Sequence, residues 1–105
     1  MQIQVNTDRN IEGSRELTDR VNGAVKSALK RFSGQITRVE VHLSDQGGDQ
    51  GGEADKRCMI EARIEGRRPT AVTHQAATLT EAVDGAAAKL KRSIESTLER
   101  LQDRR

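Results

Sequence analysis

Aromatic side chains are almost missing from this 105-residue chain, which has one phenylalanine and no tryptophan or tyrosine. The core must therefore be aliphatic and rich in alanine, which favours helices packed closely on a sheet. Base stacking could supply little of any affinity for nucleic acid. A lone cysteine, Cys58, excludes an internal disulfide and a cysteine-built metal cluster within one chain. No apolar run is long enough to span a membrane and no signal peptide is recognisable, so a cytoplasmic protein is the expectation. Lys and Arg outnumber Asp and Glu by only 18 to 16. Net charge alone thus gives no reason to expect nucleic acid, and its distribution has to carry that case. The length fits a single domain spanning residues 1–105.

What is present begins with the stretch 78–101. Leu79, Val83, Leu90, Ile94, Leu98 and Leu101 recur at steps of three, four and seven, the period of a one-faced helix. Thr78 and Glu81 form a capping box: the threonine oxygen takes a first-turn N–H and the glutamate reaches back. At ~100° per residue, Lys89, Arg92, Ser96 and Arg100 share one flank next to Gly85. Asp84, Lys91, Glu95 and Glu99 share the other.

Upstream, residues 2–6 alternate and read as a strand with Ile3 and Val5 buried. The polar stretch 7–13 leads to Ser14, an N-cap, with Glu16 in the first turn where the helix dipole favours an acid. Leu17, Val21, Val25, Ala28 and Phe32 form the apolar face of this helix, and Gly34 is expected to end it in the left-handed conformation. Between Ser14 and Gly34 five basic residues oppose two acidic ones, with Lys26 and Lys30 away from the apolar face and Arg20 and Arg31 flanking it.

Residues 36–44 form a second strand, with Val39, Val41 and Leu43 on one side and Glu40 and His42 on the other. Four glycines and four acids then make residues 45–55 a flexible hairpin connection. It lacks the Lys-Ser/Thr ending and following helix of a phosphate-cradling loop. Residues 57–65 alternate cleanly, with Cys58, Ile60, Ala62 and Ile64 inward. Gly66-Arg67-Arg68-Pro69 is a turn, and residues 70–77 a weaker fourth strand with Val72 inward. The predicted order is β-α-β-β-β-α, an α+β fold with a four-stranded mixed sheet. Its first crossover is right-handed and parallel, and both helices lie on one face. The other face, carrying Glu40, His42, Glu61, Arg63 and Glu65, stays wet.

No catalytic constellation assembles. His42 and His74 stand in no metal-ligand spacing, and Cys58 alternates with Ile60 and Ala62 as a buried small hydrophobe. The acids have no apolar pocket to shift them. No enzyme, metal, cofactor or small-molecule substrate is expected.

The element order, the length and Ala82-Val83-Asp84-Gly85 running on to Lys89-Leu90 and Arg92 resemble the ribosome hibernation promoting factor family. That family includes the ribosome-associated translation inhibitors, formerly called sigma-54 modulation proteins. The opening Met1-Gln2-Ile3, the helix-ending Phe32, the Val39-Val41-Leu43 strand and Glu65-Gly66 are similar too. The likeness implies a translation inhibitor that occupies the messenger and transfer RNA channel of the small ribosomal subunit. It also implies the family's short form, without the dimerising domain of longer members. Carried over residue by residue, Lys89, Arg92 and Arg100 fall on basic positions of the second helix, and Lys26, Lys30 and Arg31 on the matching region of the first. With Arg20 from the charge pattern, these seven are the expected RNA contacts. Thr80 stands where the family commonly has tyrosine, and Ser96 and Leu98 where related chains often carry lysine. Glu95 and Glu99 thin the positive field further.

The physical expectation is a cationic furrow between two parallel helices, following RNA phosphates without stacking on bases. About five phosphate contacts would give a log–log salt slope of roughly −3 to −5. Two alternatives stand beside it. One is a protein-interaction module self-associating through a sheet edge or the open sheet face. The other is a general double-stranded RNA binder, whose domain also sets two helices on an antiparallel sheet but lacks the extra leading strand. The sequence leaves the oligomeric state open, with a monomer as the working expectation.

Overall fold

The computed structural model describes residues 1–47 and 55–102, except for the side chains of Leu101 and Gln102. The elements are β1 (Gln2–Thr7), α1 (Arg15–Leu29), β2 (Ile36–Asp45), β3 (Lys56–Ile64), β4 (Thr70–Ala76) and α2 (Leu79–Gln102). The sheet order is β1-β2-β3-β4. β1 runs parallel to β2, as a crossover through α1 requires, and the two remaining pairs are antiparallel.

One layer of helices covers one sheet face, and the core lies between. Val21, Val25 and Leu29 come down from α1, and Ala82, Val83, Ala86, Ala87, Leu90 and Ile94 from α2. The sheet answers with Val39, Val41, Leu43, Cys58, Ile60, Ala62 and Ile64, none more than 4% exposed. Three alanines on the inner face of α2 let its backbone approach the strands closely, as the shortage of large side chains demands. Leu79, Leu98, Leu17 and Ala28 pack half-buried around the rim.

Local chemistry sets the element ends. Ser14 caps α1, its Oγ accepting the Leu17 N–H at 3.0 Å. Thr78 caps α2, its Oγ1 accepting the Glu81 N–H at 3.1 Å. Glu81 departs from the expected box: its carboxylate accepts the Thr78 hydroxyl proton at 2.9 Å instead of a backbone N–H. At the end of α1 the expected left-handed glycine is also replaced. The chain tightens into a 3-10 turn, Lys30–Phe32, and leaves through Gln35 N–H to Phe32 O at 2.9 Å. Among the described residues only Gly66 has positive φ, at +74°.

Two apolar residues are buried where no alternation showed them. Ile36 stands an even number of residues from Glu40 and His42, yet is buried, because the β2–β3 register shifts between Ile36 and Arg38 and rotates it inward. Ile11, a single apolar side chain in a polar connection, is also buried. There Asp8 organises the loop: its backbone N–H bonds Leu43 O at 3.0 Å, and its carboxylate accepts the N–H groups of Asn10 and Asp45. The β2–β3 strands stay paired as far as Asp45 and Lys56. The middle of the glycine-rich connection, residues 48–54, lies outside the described residues.

Candidate nucleic-acid interface

The seven basic residues singled out by charge and resemblance belong to the helix layer, and the contacts of three fix how the helices are turned. Arg20 Nη1 donates to Thr80 Oγ1 at 3.0 Å, and Arg31 pairs with Glu95 at 3.6 Å. Both bridges cross from α1 to α2. Between them Leu17, Val21, Ala24, Val83 and Asp84 line a narrow inter-helix seam. Lys89 points the other way, its Nζ donating to Thr73 O of β4 at 2.9 Å. Beside it Gly85 rests against the ring of His74, which points inward from β4.

These contacts correct the expected cationic furrow. The seam is mixed in charge, holding Arg20 and Arg31 together with Asp84 and Glu95. The basic flank of α2 faces β4, away from α1. Helical rotation of ~100° per residue sets Arg92 and Arg100 on that same flank, and sets Lys26 and Lys30 on the side of α1 opposite Arg31. The structure thus brings Arg20 and Arg31 together over the seam. It separates Lys26 and Lys30 from Lys89, Arg92 and Arg100, leaving one basic strip on each outer flank. The two-flank pattern of α2 was legible from the sequence; which flank meets α1 was not.

Apart from Lys89, whose ammonium bonds Thr73 O, the strips are free to accept a ligand. All seven residues are exposed, and among the described residues only Arg31 forms an ion pair. Arg31 also lies over the buried Phe32 ring, 5.2 Å from its centroid, which orients the guanidinium. No ion pair or side-chain hydrogen bond among the described residues occupies Lys26, Lys30, Arg92 or Arg100.

Away from the helix layer, a few titratable groups have structural employment. Burial pushes the Cys58 thiol up to about 12, which removes it as a nucleophile near neutral pH. The Lys56 ammonium is raised chiefly by its hydrogen bond to Asp45, then by that to Asp55, and it clasps the two carboxylates at 3.1 and 3.2 Å. On the open sheet face Glu40 draws Arg38 to 2.9 Å and His42 to 3.9 Å. Among the described residues no group of three His, Cys, Asp or Glu is placed to hold a metal ion, and no helix is long and apolar enough to cross a membrane.

The geometry defines a small α+β protein with two helices on one sheet face, and comparison with known families makes the assignment specific. Residues 4–102 match the model of the sigma 54 modulation protein / S30EA ribosomal protein family, and the chain belongs to that family. Its members are non-enzymatic ribosome-binding factors. Among solved structures, the N-terminal domain of Protein Y from Thermus thermophilus superposes with a TM-score of 0.75 at 23% identity, covering 92% of this chain and 99% of that one. A ribosomal subunit interface protein from Coxiella burnetii superposes with a TM-score of 0.75 at 13% identity, covering 94% and 99%. At such identities the likeness establishes the fold. No curated protein matched the chain.

Proposed function

We propose that this protein is a hibernation factor that silences translation by lodging in the messenger and transfer RNA channel of the small ribosomal subunit. Family membership supports the ribosome as partner, and with it a cytoplasmic site of action. The observation that carries the channel reading is the placement of free basic side chains on both outer flanks of the helix layer. A plain RNA duplex meets one side of a protein. A channel walled by ribosomal RNA surrounds its occupant, and two strips facing apart suit such a partner.

Arginine grips phosphate with two parallel hydrogen bonds and lysine acts as a point charge. Recognition through Lys26, Lys30, Lys89, Arg92 and Arg100 is therefore of RNA backbone and shape. The chain acts as a monomer in this reading, because both strips engage one subunit.

The test is cosedimentation with purified small subunits at several salt concentrations. The K26E/K30E and K89E/R92E variants are each expected to abolish cosedimentation while circular dichroism stays unchanged. Wild-type binding with a slope of roughly −3 to −5 is the expected signature of about five phosphate contacts. A flat salt response, or full binding by both variants, would remove the channel reading. Concentration-dependent dimerisation with no affinity for subunits would favour self-association through the open sheet face instead.

A further inference from the structure

The turn joining β3 to β4 lies at the end of the molecule where α1 finishes, β2 begins and the last turns of α2 arrive. At this end basic residues crowd. Lys30, Arg31, Arg38, Arg63, Arg67 and Arg68 come from residues 30–38 and 63–70, against Glu65 in those segments and Glu95 and Glu99 on the arriving turns of α2. The opposite end has Asp8, Glu12, Asp45, Asp55, Glu81 and Asp84 in its connections and helix starts, against Arg9, Arg15 and Lys56. A modest net charge of +2 therefore conceals a molecule polarised along its strands.

The turn itself is built to display arginine. Gly66 takes φ +74°, Arg67 N–H closes the reversal on Ile64 O at 3.0 Å, and Pro69 restricts the next step. Arg67 and Arg68 are exposed, and among the described residues neither they nor Arg63 has a carboxylate partner. Beside them opens a cleft of about 450 Å³ bounded by Gly66, Arg67, Arg68, Pro69, Thr70 and Thr97. Thr97 gives its hydroxyl proton to Ser93 O at 3.0 Å, so that wall does not donate and the guanidiniums are the charged donors of the cleft. Arg100 follows three residues after Thr97, on the next turn of α2.

We infer that this cleft is a further phosphate-binding element, in which Arg67 and Arg68 of the sheet layer grip an RNA backbone unit at the end of the α2 strip. The inference rests on the ribosomal RNA reading above and adds to it a contact surface from the sheet layer. Charge complementarity selects the occupant. Two adjacent guanidiniums match phosphodiester oxygens bidentately. A protein partner would call for an aromatic or aliphatic anchor, and among the described residues Met1 is the sole exposed large hydrophobic side chain.

The experiment compares the wild type, R67A/R68A and R67K/R68K in equilibrium binding to purified small subunits across a salt series, with thermal unfolding as the fold control. R67A/R68A is expected to lose about tenfold or more in affinity at low salt, and its log–log salt slope to shrink in magnitude by about 1.4–1.8, the value for two lost phosphate contacts. R67K/R68K should recover the slope but only part of the affinity, because lysine keeps the charge without the fork. Unchanged affinity and slope in R67A/R68A, with the wild type bound, would overturn this inference alone. Weakened binding with an unchanged slope would assign the turn to a protein surface and overturn it as well. Failure of the wild type to bind at all would instead overturn the ribosomal reading on which it stands.

Discussion

A Cβ added to Gly85 would lie 2.1 Å from Cδ2 of His74 and 2.6 Å from its Cγ. The overlap runs along the Cδ2–Nε2 edge of the imidazole and reaches Cγ at its root, so the ring cannot swing clear without a change of rotamer. Gly85 is thus the place where α2 rests on β4, and that contact sets which flank of the helix overhangs the sheet edge. In an unconstrained helix interior Gly→Ala would stabilise by about 1 kcal/mol.

Gly85→Ala is therefore expected to reverse the usual sign. Overpacking of a closed contact costs about 1–3 kcal/mol, which exceeds the propensity gain. The variant should unfold at lower denaturant concentration than the wild type. Combining it with His74→Ala should recover most of the loss, a coupling that a double-mutant cycle measures directly. Equal effects of Gly85→Ala in the presence and absence of His74 would show that the ring does not police this contact.

The helix caps are testable one at a time. Thr78→Ala removes the acceptor for the Glu81 N–H and the hydroxyl that the Glu81 carboxylate holds. A loss of about 1 kcal/mol is expected from chemical denaturation. Thr78→Ser should restore it, since serine keeps the same oxygen. If Thr78→Ala unfolds at the wild-type midpoint, the cap contributes nothing to the folded state.

Although the left-handed Gly34 end expected for α1 gave way to a 3-10 turn, the N-cap residues were readable because the interactions are local in sequence. So were the strand faces of β3 and the parallel crossover through α1, which follow from period-two alternation and the handedness of connections. Three features were not readable, for separable reasons. Ile36 is rotated inward by a register shift that depends on its partner strand. Ile11 has no periodic neighbour to reveal its burial. The turning of α2 about its own axis depends on Gly85 meeting His74 across the helix–strand gap, a contact between positions that share no local pattern. That last rotation decides the candidate interface. It converts two basic flanks from the walls of one furrow into strips facing apart, while leaving each strip's membership as the charge pattern implied.

The Cys58 thiol supplies a pH prediction. Its folded pKa is pushed up to about 12 from an ordinary 9.0 by burial. Below pH 9 both states hold the proton and the thiol adds no pH dependence. Between about 9 and about 12 the unfolded chain releases it while the folded chain keeps it, so stability falls with rising pH across that window. Cys58→Ala should flatten this part of the stability profile at pH values where the fold survives. The native thiol should also resist alkylation at pH 8 until denaturant opens the core. Stoichiometric labelling of the native protein within minutes would contradict a buried thiol.

Glu95 restrains the binding surface on the seam side. Its carboxylate lies 3.6 Å from Arg31, whose side chain is 73% exposed. A surface pair of this kind contributes at most about 1 kcal/mol to the fold. Held against the carboxylate, however, Arg31 is a poor ligand for phosphate, and the acid itself repels an approaching backbone. Glu95→Gln removes both effects without changing the size of the side chain. The expected result is tighter binding to small subunits at low salt and a log–log salt slope steeper by about 0.7–0.9, one additional phosphate contact. Thermal stability should stay close to that of the wild type. In the Arg31→Ala background Glu95→Gln should retain only the relief of repulsion and should leave the slope unchanged. A slope that steepens equally without Arg31 would mean that Glu95 screens some other cation, and would take Arg31 out of the interface.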